Sequence, residues 1–131
     1  MNKVIKEMTE KEVKTFESLY DKFVAKCNDI CSELKRVERG YGYCNEFKPM
    51  DDEVYCHGHE YWSYGGHEEY EKYFPKILLT YTEEEVKNYV DNRLTLAKRE
   101  REKKERLEKE KKEKKEMAEY QRLKEKFEKS V

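Results

Sequence analysis

Five cysteine and histidine side chains, Cys44, Cys56, His57, His59 and His67, fall between positions 44 and 67. Zinc takes four ligands of these types, so a site made from Cys44, Cys56, His59 and His67 is the first chemistry to weigh. The spacing works against it. In an extended strand Cys56 points to one face while His57 and His59 point to the other, and no Cys-x-x-Cys pair anchors the set. Surface histidines and half-buried thiols, with no metal and no cofactor, are the plainer expectation. Cys27 and Cys31 stand four positions apart and read as core residues of a helix.

Catalysis has less support still. Carboxylates are abundant, but none belongs to a Gly-rich, Ser-His or metal-binding signature. His59 with Glu60, and His67 with Glu68, are sequence neighbours and therefore point to opposite faces of a strand. The expectation is a protein that is not an enzyme.

Recognition chemistry is better supplied. Residues 41–81 hold eight of the eleven Tyr, the only Trp and all three His. Tyr61, Trp62, Tyr64 and Tyr70 surround Gly65 and Gly66, and such rings give large contact area at low entropic cost, which suits protein recognition. They also stack on bases, but residues 44–74 carry eight acids against two lysines, a poor surface for nucleic acid. Core packing will consume some of them. Near the carboxyl end, Tyr120, Leu123 and Phe127 have the three-and-four spacing of a helix that docks in a groove.

Three elements must position these groups. Residues 82 to about 127 read as one helix, started by a capping box of Thr82 and Glu85 and interrupted by no Gly or Pro. Glu-to-base pairs four apart, such as Glu100 with Lys104 and Glu108 with Lys112, support it as a solvated rod or spacer. An earlier helix starts at Thr9 with Glu12 and is expected to end near Arg39, with Gly40 as its left-handed terminator. Its apolar residues recur in heptads: Val13, Tyr20, Cys27 and Leu34, with Phe16, Phe23, Ile30 and Val37 three positions on. That pattern predicts lengthwise coiled-coil packing, and Phe16, Tyr20, Phe23, Cys27, Ile30 and Leu34 are the expected seam of a homodimer. Between the helices, Gly65 and Gly66 read as a two-residue hairpin turn, which would set Tyr61 opposite Tyr70 and His59 opposite Lys72. The fold class is therefore α+β, mostly helical: an N-terminal helix, a small Tyr-rich antiparallel hairpin or sheet, and a long charged C-terminal helix. That order resembles the prefoldin-like plan in architecture alone and carries no function.

Charge follows the same division. Of 131 residues, 45 % are charged and mean hydropathy is −1.26, too polar for one globule, while 13 % aromatic content argues against disorder. The expected units are a body over residues 1–97, net −6, and a projecting helix over residues 98–131, whose stretch 98–115 is net +5. An acidic body disfavours broad nucleic-acid or membrane contact. The basic stretch leaves a rival open: a nucleic-acid-binding accessory protein, with or without zinc. Residues 1–13 have no apolar signal segment, so the expected location is the cytoplasm, with reduced thiols and no membrane span.

The Tyr and Gly-Gly hairpin, then Phe74, Pro75, Ile77, Leu78 and Leu79, then a capped charged helix ending in Tyr120, Leu123, Lys124, Lys126 and Phe127, resembles small uncharacterised bacteriophage proteins over the C-terminal half of the chain. The resemblance implies a context, the cytoplasm of a bacterial host. Small phage products there often bind host proteins, including inhibitors of defence systems. The expected function is a non-enzymatic protein-binding module of this kind, a candidate inhibitor of a host protein.

Overall fold

Thr9 and Thr82 each start a helix by the same device. In the computed structural model, which describes residues 6–130, the Glu12 N–H donates to Thr9 Oγ1 at 3.1 Å and the Thr9 N–H donates to Glu12 Oε1 at 3.1 Å. Thr82 and Glu85 repeat the exchange at 3.2 and 3.1 Å. Two N–H groups that a helix leaves unpaired are satisfied each time. The helices are α1 (Glu10–Leu34) and α2 (Glu83–Lys129). Between them lie β1 (Cys44–Pro49), β2 (Glu53–Tyr61) and β3 (His67–Pro75), an antiparallel sheet in the order β1-β2-β3, flanked by short 3-10 helices Arg39–Tyr43 and Lys76–Thr80. The class is α+β and mostly helical, as expected.

Three local expectations need correction. First, α1 stops at Leu34 rather than near Arg39, and Val37 lies outside it. Gly40 is not a left-handed cap; it lies in the first 3-10 helix, where an added Cβ would come within 2.7 Å of the Tyr70 ring. Close packing, not a positive φ, requires glycine there. Second, the hairpin loop is longer than two residues. The Gly65 N–H donates to the Trp62 carbonyl at 3.2 Å and the Trp62 N–H to the Gly66 carbonyl at 2.8 Å, and Gly65 alone has positive φ, +80°. A mirror-image two-residue turn would need positive φ at both glycines; one left-handed residue after a tight turn gives a three-residue loop. The register moves accordingly: Tyr61 pairs with His67, His59 with Glu69 and Gly58 with Tyr70. Third, α1 is not a continuous seam. Cys27, Ile30 and Leu34 are fully buried in the chain's own core, whereas Phe16 and Tyr20 are exposed and Phe23 is half-buried. The last two turns of the heptad face the sheet and cannot meet a second copy.

The chain divides into two units, Met1–Asp91 and Asn92–Val131. In the first, Cys27, Ile30, Cys31 and Leu34 of α1 share a core with Tyr41, Cys44, Val54, Cys56, Phe74 and Leu78, closed by Val86 and Val90 from the start of α2. Arg36 joins the end of α1 to Asp91 at 2.8 Å. The second unit is the remainder of α2. Every described residue from 95 onward is exposed, Leu107, Met117, Tyr120, Leu123 and Phe127 included.

Candidate binding surface on the sheet

Alternation along β2 sorts its side chains. Val54, Cys56, Gly58 and Glu60 face the core; Tyr55, His57, His59 and Tyr61 face outward. Pairing with β3 places His67, Glu69, Glu71 and Tyr73 on the same outer face, and pairing with β1 adds Glu46. The outer rings form one row. Tyr73 to Tyr55 is 5.5 Å between centroids, Tyr55 to His57 is 6.3 Å, His57 to His59 is 4.7 Å, and His59 to Tyr61 is 5.8 Å. His67 lies against Tyr61 at 5.9 Å and His59 at 6.2 Å.

Carboxylates border that row. His57 Nε2 is 2.5 Å from Glu69 Oε1, and its Nδ1 is 3.4 Å from Glu46 Oε2. The bond to Glu69 raises the His57 pKa above its ordinary value, and the same bond lowers that of Glu69. The Tyr55 hydroxyl donates to Glu71 Oε1 at 3.1 Å. One ring nitrogen from each of His57 and His59 and one Glu69 oxygen all lie within 4.8 Å of one another. His59 Nδ1 is buried and has no hydrogen-bond partner.

At the hairpin end, beyond Tyr61, stand two further exposed aromatic side chains, Trp62 and Tyr64. Tyr61 is 74 % exposed, Trp62 48 % and Tyr64 100 %. The Trp62 ring lies over Gly66, where an added Cβ would stand 2.8 Å from it. Tyr70 does not belong to this surface, contrary to expectation, because the true register turns it inward. Its ring stacks on Tyr43 at 5.5 Å and its hydroxyl donates to Glu60 Oε2 at 2.8 Å.

Glu60 was not anticipated as a structural acid. It is buried on the core face, where Arg39 pairs with it, the Tyr43 hydroxyl donates at 3.1 Å, and Tyr70 holds its other oxygen. The Tyr70 bond is the main reason its pKa falls below the usual carboxylate value. Strand alternation could have found it: Glu60 shares parity with Val54 and Cys56, so it enters the core and needs partners.

The zinc set suggested by the spacing is not assembled. Cys44 and Cys56 are buried on the core face, while His59 and His67 are on the outer one. Cys56 Sγ instead lies 4.0 Å from Cys31 Sγ. Burial pushes the Cys27 thiol up to about 12 and that of Cys44 up to about 11. Such thiols are protonated and inert at neutral pH. Tyr120, Leu123 and Phe127 remain on the exposed helix of the second unit, as described. A furrow of about 640 Å³ between α1 and β1, lined by Tyr20, Val24, Asn28, Asn45 and Phe47 among others, is open to solvent. Comparison with protein-family models, curated proteins and solved structures returns no match for the chain.

Proposed function

We propose that this chain is a non-enzymatic protein-binding module whose contact surface is the hairpin tip and the outer face of the sheet. The exposure of Tyr61, at the end of β2, and of Trp62 and Tyr64 in the loop that follows carries the proposal. Large aromatic side chains left uncovered on a rigid strand pair are the chemistry of protein recognition, since little entropy remains to be lost on contact. Glu46, Glu69 and Glu71 on the outer face of the sheet favour a partner with basic or hydrogen-bond-donating groups and oppose nucleic acid. Catalysis finds no support in the furrow between α1 and β1, which is too open to exclude water.

The likeness to bacteriophage proteins makes a host protein the proposed partner and inhibition the proposed effect. Self-association, in this proposal, keeps only the exposed part of the α1 stripe, where Phe16 and Tyr20 stack at 6.0 Å and Tyr20 lies 6.4 Å from Phe23. Tyr120, Leu123 and Phe127 offer a second docking stripe. Affinity capture from bacterial lysate with the native chain and with Tyr61→Ala plus Trp62→Ala tests the tip. Loss of a specific protein, at unchanged circular dichroism, is expected; an identical captured set would remove the tip from the proposal.

A further inference from the structure

We propose that His57, His59 and Glu69 form a binding site for one divalent transition-metal ion of the zinc class on the outer face of the sheet. Two imidazoles and a carboxylate are a ligand set such ions accept, with a position left open for water or an incoming group. The three ligand atoms already lie within 4.8 Å of one another, and the strands bring them there by register, His59 being paired directly with Glu69 and flanked by His57 on its own strand. Small side-chain rotations bring the three onto a common centre. All three project from paired strands, which hold their backbones in register.

Two further observations point to a ligand. His59 Nδ1 is out of solvent without a hydrogen-bond partner, a cost that an unoccupied imidazole bears for no structural return. His57 has the outer support characteristic of a metal ligand: with Nε2 facing Glu69, Nδ1 is held 3.4 Å from Glu46 on the neighbouring strand. A carboxylate behind the second nitrogen fixes the ring and its tautomer. The site differs from the one suggested by cysteine spacing, since no thiol lies on this face. It does not rest on the partner proposal, which the exposure of the aromatic tip carries.

Cobalt(II) titration of the full chain, freed of metal by chelator, tests this. One saturable equivalent with ligand-field absorption and no thiolate-to-cobalt charge-transfer band is expected. Glu69→Gln and His59→Gln should each weaken binding at least about tenfold, and Cys44→Ser should leave it unchanged. A thiolate band, or the absence of any saturable absorption, would overturn the site. Should the His59 variant fail to fold, imidazole resonances of the native chain decide instead. Zinc(II) should shift those of His57 and His59 together, and an unshifted pair would overturn the proposal.

Discussion

The backbone carbonyl of Tyr43 occupies the space that a side chain on Gly58 would need, its oxygen 1.8 Å from an added Cβ. This approach lets β1 bulge between Cys44 and Glu46 and still pair Cys44 with Gly58, which puts Glu46 opposite His57. The outer face of the sheet therefore depends on a glycine of the inner face. Gly58→Ala should destabilise by about 1–3 kcal/mol or more, the range for forced overpacking. Gly42→Ala, whose Cβ would meet only Lys35 at 3.5 Å, should stay within about 0.5 kcal/mol. Urea denaturation of the two variants checks the contrast.

The hairpin loop makes a second demand on glycine. Gly65 has φ +80°, where a Cβ costs about 1–2 kcal/mol. Gly65→Ala should lower stability by about that much, and Gly65→Asn by less, because Asn tolerates the left-handed region. Thermal denaturation followed by circular dichroism measures both.

Glu60 should be the most sensitive member of its network. Glu60→Ala takes the acceptor from the Tyr43 hydroxyl and leaves that of Tyr70 only the exposed bond to Glu68, Tyr70→Phe removes the bonds to Glu60 and Glu68 while Glu60 keeps its other partners, and Arg39→Ala removes a partner whose side chain is 71 % exposed and screened by solvent. The expected order of lost stability is Glu60→Ala, then Tyr70→Phe, then Arg39→Ala. Urea midpoints for the three variants would contradict the network if Arg39→Ala came first.

The buried thiols give a signed pH dependence. The Cys27 pKa rises from 9.0 to about 12 in the folded chain, so below pH 9 both states hold the proton and stability is unaffected. Above pH 9 the unfolded chain releases it and the folded chain does not, so stability falls from pH 9 until about pH 12. Cys44 adds to the same slope up to about 11. Urea midpoints measured over that range should decline less steeply in Cys27→Ala. A thiol reagent at pH 8 should label the native chain slowly and the unfolded chain fully.

How much was legible in the sequence follows the range of the interactions. Both capping boxes connect residues three apart, and both are present. The split of Cys56 from His57 and His59 needed only strand alternation. The end of α1 is not legible because Lys35, Arg36, Arg39 and Gly40 look like a helix terminus, whereas the helix ends at Leu34 and Gly40 instead packs against Tyr70 and Lys72, far along the chain. β1, with its charged and proline-ended sequence Cys-Asn-Glu-Phe-Lys-Pro, carries little strand signal and is held by its pairing with β2. The loop between Tyr61 and His67 decided the most. Reading it as two residues put Lys72 opposite His59, and only the true register puts Glu69 there and completes the outer cluster.

Site-specific photo-crosslinking in bacterial cells tests the binding surface most directly. A photoreactive phenylalanine would replace Tyr64 in one version of the chain and Lys111 in another. A discrete covalent adduct with protein from position 64, and none from position 111, is the expected result. Adducts from position 111 alone, or adducts to nucleic acid there, would contradict the aromatic tip as the contact surface and move function to the basic stretch of α2.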